Sequence, residues 1–105
     1  MKIAVTSTGG SMNAQVAKNF GRCAYFIIAD TDGSTNFDPV QNRAAGMTGG
    51  AGPEAAKLIN EKGAEVLLTG KVGPNATSAL SQYGIEVVTG VSGTVKNAVE
   101  EYAGV

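Results

Sequence analysis

Apolar residues along this chain come in short runs, parted by stretches rich in glycine and small polar residues. Ile3-Ala4-Val5, stopped by Ser7-Thr8-Gly9-Gly10-Ser11, predicts a buried strand over 2–7. Tyr25–Asp30 is aromatic and β-branched and predicts a strand over 24–30. Asp32-Gly33 is a hairpin signal, so the stretch 35–42 is expected to return beside it. Pro39 cannot donate to a ladder, which puts that third strand at an edge. The apolar spacing then changes from two to three and four. Ala55, Leu58, Ile59 and Lys62 form one stripe behind Pro53 and before Gly63, which predicts a helix over 53–62. Ala76, Ala79, Leu80 and Tyr83 behind Pro74 predict a second over 74–83, closed by Gly84. Val95, Ala98, Val99 and Tyr102 behind Ser92-Gly93-Thr94 predict a third over 94–103. Val66-Leu67-Leu68 and Val87-Val88 supply strands over 65–69 and 86–90. Met12 and Val16, spaced i, i+4, suggest one or two helical turns within 12–19.

Lys62–Gly70 parallels Tyr83–Gly90: a glycine, a short apolar strand ending in Thr-Gly, then a helix. Consecutive strand–helix units imply parallel strands joined by right-handed crossovers. The first half is instead a three-strand meander. The sum is an α/β domain with a mixed sheet of about five strands. If the strands ending at Ser7, Thr69 and Thr89 are parallel, their turns share one rim, where ligands of open α/β sheets bind. The Gly-rich stretch 46–52 feeds a helix start and can reach the same rim.

Composition narrows the chemistry. The chain has 105 residues, 43% hydrophobic and 16% charged, which fits one domain over 1–105 and excludes a disordered tail or coiled coil. Eight Lys and Arg against nine Asp and Glu give a net charge of −1, with no basic footprint for nucleic acid. No apolar run approaches the ~20 residues of a membrane span. The start, Met1-Lys2-Ile3-Ala4-Val5, lacks the long apolar stretch of a signal peptide, so a cytoplasmic protein with a reduced thiol is expected. Histidine is absent, which removes His-based zinc sites and every His-containing triad. The single cysteine, Cys23, allows no intrachain disulfide and no four-cysteine centre within one chain. No Ser, Thr or Lys has a visible partner base, and no enzyme activity is expected.

What remains is a crevice lined by glycine backbone, with Arg22 and Lys71 as cations for an anion or cluster. The 46–52 stretch has no Gly-Lys-Ser/Thr and does not follow a buried strand, so it is not a nucleotide triphosphate loop. Cys23 reads either as a small buried hydrophobe or as a thiolate favoured by Arg22. Met47 has no evident core role and offers a soft thioether.

Five stretches, in order, resemble the dinitrogenase iron–molybdenum cofactor-binding family: Met1–Val5, Asn19-Phe20-Gly21-Arg22 with Tyr25-Phe26, Asn42-x-Ala44-Ala45-Gly46 with Gly50-Ala51-Gly52, Thr69–Ala76, and Gly93-Thr94-Val95. That family includes nitrogenase accessory proteins that carry the cofactor or its precursor. The resemblance implies a three-layer ribonuclease-H-like motif: a five-stranded mixed sheet of order 3-2-1-4-5, strand 2 antiparallel to the rest. It also implies non-catalytic carriage of an iron–sulfur or iron–molybdenum–sulfur cluster, with cluster donor and acceptor proteins as partners. The expected shell is Asn19, Arg22, Cys23, Met47, Gly49, Gly50, Gly52 and Lys71, with Cys23 as the metal ligand and its thiol accessible. Many members carry His where this chain has Asn19, and again in the loop that here reads Met47-Thr48-Gly49. Without those imidazoles the alternative is a metal-free module for small anions or regulation, with no cofactor. A hydrolase, the third reading, needs an acidic metal cluster on the sheet that these strands lack. Oligomeric state is open at this level.

Overall fold

A computed structural model describes residues 1–31 and 36–104; the Asp32-Gly33 hairpin signal lies outside the described residues. The elements are β1 (Lys2–Ser7), β2 (Tyr25–Asp30), β3 (Phe37–Gln41), α1 (Ala51–Glu61), β4 (Val66–Leu68), α2 (Pro74–Gln82), β5 (Glu86–Val88) and α3 (Val95–Ala103). The sheet runs β3-β2-β1-β4-β5. β2 is antiparallel to both neighbours, and β1, β4 and β5 are parallel, with Val5 opposite Leu68 and Leu68 opposite Val88. This is the expected order and direction of every strand.

The period of two along a strand sends neighbouring residues to opposite faces. Ala4, Phe26, Ile28 and Leu67 pack on one face beneath α1 and α2, with Ala55, Ile59 and Leu80 above them. Ile3, Val5, Ile27, Val66 and Leu68 pack on the other face against Val95, Ala98 and Val99 of α3. Three layers follow, and β1 is buried on both sides, which is why its apolar run is continuous rather than alternating. Among the described residues no helix is long and apolar enough to cross a membrane.

Two local expectations need correction. The stretch 12–19 is not helical; it is tied down by distant partners. The amide of Val16 donates to the Gly93 carbonyl at 2.8 Å and that of Ala17 to the Thr6 carbonyl at 2.9 Å. The i, i+4 spacing of Met12 and Val16 arises because both pack into the α3 layer. Secondly, α1 begins at Ala51 rather than Pro53, with Gly50 before it at φ 73°. Pro53 remains inside the first turn, where its missing N–H has no intrahelical partner to lose.

A candidate anion cradle at the carboxyl ends of the parallel strands

Because β1, β4 and β5 are parallel, the turns after them lie side by side. Gly90 N–H donates to the Gly70 carbonyl at 2.8 Å, and Lys71 N–H donates to the Lys18 carbonyl at 2.8 Å. The chain at 18–20 therefore lies directly across the turn after β4. A Cβ on Gly70 would stand 2.4 Å from the Lys18 carbonyl oxygen, so this approach requires glycine. Below it, the buried Thr6 hydroxyl gives its proton to the Ala17 carbonyl at 2.8 Å, with the Thr69 hydroxyl 3.0 Å away.

The segment 20–23 then turns between two depressions. One, of about 220 Å³, is lined by Phe20, Gly21 and Arg22 together with Gly50–Pro53 and Gly73–Ala76. The starts of α1 and α2 meet here. A Cβ on Gly52 would lie 2.8 Å from the Ala76 Cβ. Neither helix has a side-chain cap; their flanking residues are Gly50 and Gly73. Glu54 and Thr77 donate back to the Gly50 and Gly73 carbonyls, and the two prolines have no N–H. The amides of Ala51, Gly52, Asn75 and Ala76 precede the first possible intrahelical bond, and no acceptor among the described residues takes them. By contrast α3 is capped by its own Thr94, whose Oγ1 accepts from Asn97 N–H at 3.2 Å. Each uncapped start carries roughly half a unit of positive charge, and the two face one cleft beside the exposed Arg22.

The second depression, of about 300 Å³, is lined by Thr8, Lys18, Asn19, Arg22 and Cys23 among others. Cys23 is 5% exposed, and burial pushes its thiol up from 9.0 to about 11. The accessible, thiolate-leaning cysteine expected from the neighbouring Arg22 is therefore not found: the thiol is packed with Phe26 and Ala44 in the core layer beneath α1. Arg22, at the edge of both depressions, donates from its Nη1 to the carbonyls of Ala45 and Met47. That clamp sets the 43–47 turn against the site. The same turn is held from inside by Asn42, a buried residue that sequence reasoning placed only within a motif. Its Nδ2 donates to the Gly21 and Cys23 carbonyls at 3.0 and 2.9 Å, and its Oδ1 accepts from Ala44 N–H at 3.0 Å.

Of the expected shell, Arg22, Gly50 and Gly52 line the first depression, and Asn19, Arg22 and Cys23 line the second. Met47, Gly49 and Lys71 line neither. Met47 is exposed at the edge of the Gly50 turn, and Lys71 is held beside Asn19 through its backbone. Among the described residues no group of three or more Cys, Asp or Glu side chains could hold a metal ion. A third depression, about 520 Å³, lies at the opposite end of the sheet and mixes Lys2 and Lys62 with Asp30, Asp38 and Glu61.

Residues 1–104 match the family model described as dinitrogenase iron-molybdenum cofactor. The chain belongs to this family. No curated protein matches it. Among solved structures, the apo form of the orange protein from Desulfovibrio gigas is 40% identical with a TM-score of 0.91, over 96% of this chain and 85% of that one. A candidate NifB protein from Thermotoga is 34% identical with a TM-score of 0.84, over 98% and 87%. A candidate dinitrogenase from Methanocaldococcus jannaschii, 15% identical with a TM-score of 0.74 over 99% and 88%, shares the fold. In this member of the dinitrogenase cofactor family, the repeated Gly-Pro at 52–53 and 73–74 marks each helix start in the sequence, though not their meeting.

Proposed function

We propose that this protein is a non-catalytic carrier of a preformed, anionic metal–sulfur cluster, iron–sulfur or iron–molybdenum–sulfur, which it exchanges with donor and acceptor proteins. The observation that carries this reading is the pair of uncapped helix starts converging beside Arg22. Sulfides on the surface of such a cluster accept hydrogen bonds, and four free amides with a guanidinium offer them without any metal ligand. Cys23 contributes packing; binding metal through it would first require losing a proton held to about pH 11. Family membership supports cofactor-related cargo, and the orange protein's apo form indicates a ligand-bearing counterpart for that relative.

The test is anaerobic incubation with a preformed iron–sulfur or iron–molybdenum–sulfur cluster, then desalting and metal analysis. Wild type and Cys23→Ser are expected to retain equal metal, and Arg22→Gln several-fold less. Retention lost in Cys23→Ser and kept in Arg22→Gln would replace the cradle by thiolate ligation. If wild type retains no metal while sulfate shifts the amide resonances of Ala51, Gly52, Asn75 and Ala76, the cradle serves a metal-free anion module.

A further inference from the structure

The charge of this chain is sorted by position. Residues 7–23, 42–53, 69–74 and 89–96 hold five of the eight cations and none of the nine carboxylates. Backbone hydrogen bonds join three of these segments at one end of the sheet, Val16 to Gly93, Lys71 to Lys18, Gly90 to Gly70 and Lys96 to Met12, and the Arg22 and Asn42 side chains tie 42–53 to 21–22. Arg43 is occupied by Glu54 at 2.7 Å and Glu61 at 2.9 Å. Lys18, Arg22, Lys71 and Lys96 are exposed and in no ion pair among the described residues. The opposite end carries Asp30, Asp38 and Glu61 around its depression, Glu65 beside the Lys2 amide, and Glu86 at the start of β5. Glu100 and Glu101 lie in the last turns of α3. A molecule with a net charge of −1 thus presents a rim with four unpaired cations among the described residues, Glu54 in the first turn of α1 being paired with Arg43. Loops of one sign over a low-dielectric body focus their potential outward.

We propose that the whole rim, not the depression beside Arg22 alone, is a capture surface for compact multivalent anions. Lys96 steers them from the α3 side without touching the bound cargo. Lys96 stands at the second position of α3, on the face of the sheet away from α1 and α2, and lines neither depression. At low salt, where the Debye length is about 30 Å, its charge reaches the cleft; at 1 M, where it is about 3 Å, it does not. The identity of the cargo rests on the carrier reading above; the field does not.

The first measurement is amide relaxation by two paramagnetic chelates of equal size, one dianionic and one neutral. At low salt the dianion is expected to relax rim amides several-fold more than the neutral chelate, and amides near Asp30 and Glu65 less. One molar NaCl should erase the difference. Lys96→Ala should lower the ratio at Gly93–Val95 about twofold, whereas Lys62→Ala, the same charge change at the far end, should leave the rim unaltered. Equal ratios at both ends, or equal effects of the two variants, would overturn the proposal. The second measurement is the rate of uptake of the preformed anionic cluster. Lys96→Ala should slow it about two- to threefold at low salt with retained metal unchanged. Reduced retention would make Lys96 a contact and overturn its steering role. A chain that takes up no cluster yet keeps its rim ratio would sink the carrier reading alone.

Discussion

Cys23 and Asn42 occupy one buried corner behind the rim, with Asn42 Nδ2 3.8 Å from the cysteine sulfur. The thiol holds its proton to about pH 11 against 9.0 when free, so the folded form binds the extra proton between those values. Stability is therefore unaffected by this group below pH 9 and falls as pH rises through 9 to 11, by about 3 kcal/mol. Urea midpoints compared at pH 8 and pH 11 should fall in wild type and fall less in Cys23→Ser. Thiol labelling of the native protein at pH 8 should be slow and rise sharply on unfolding. Asn42→Ala strands two carbonyls and one amide, and should cost about 3 kcal/mol in the same unfolding experiment. The sequence showed Cys23 beside an apolar run, which pointed to core first and to ligand second. The balance went to core because residues distant in sequence, Asn42 beside the sulfur and Ala44 in the same cluster, close that corner.

At the scale of elements, three stripes and two repeated Gly-strand-Thr-Gly units were enough to locate the three helices, β4 and β5 within a few residues, and apolar runs located β1 to β3. What they missed is where elements touch. Gly70 reads as an ordinary turn glycine, yet it is the place where the 18–20 segment crosses β4's exit, 2.4 Å from a would-be Cβ. Gly70→Ala should destabilise by about 2–3 kcal/mol, since the obstacle is backbone and cannot swing aside. Gly73→Ala, with open space around it and φ −78°, should change stability by less than about 0.5 kcal/mol. Chemical denaturation of both variants checks the pair. Gly52→Ala meets the Ala76 Cβ at 2.8 Å and should push the two helix starts apart. Its signature is weaker cargo retention with a smaller loss of stability than Gly70→Ala.

Over the whole molecule, β1 is the shared wall of two cores, one under α1 and α2 and one under α3. Because both depend on it, they should unfold together. Leu80→Ala on one face and Val95→Ala on the other should each lower the urea midpoint with the m-value unchanged, corresponding to losses of about 3 and about 2 kcal/mol of stability respectively. Far-ultraviolet dichroism and tyrosine fluorescence should give coincident transitions. Separate transitions would mean that the α3 layer is an independent unit. Hydrophobic period, glycine stops and prolines at helix starts are local properties of a chain. They determined the class of fold, the identity of each element and, through consecutive strand–helix units, the parallel half of the sheet. The ordered motifs carried the family. Charge sorting was also written in the chain, as four acid-free segments, but it becomes a rim only when those segments are brought to one end. Burial of Cys23, the keystone role of Asn42 and the convergence of two uncapped helix starts were decided by tertiary structure alone. Each depends on which distant residues close over a side chain or leave an amide without an acceptor, and no local spacing encodes that.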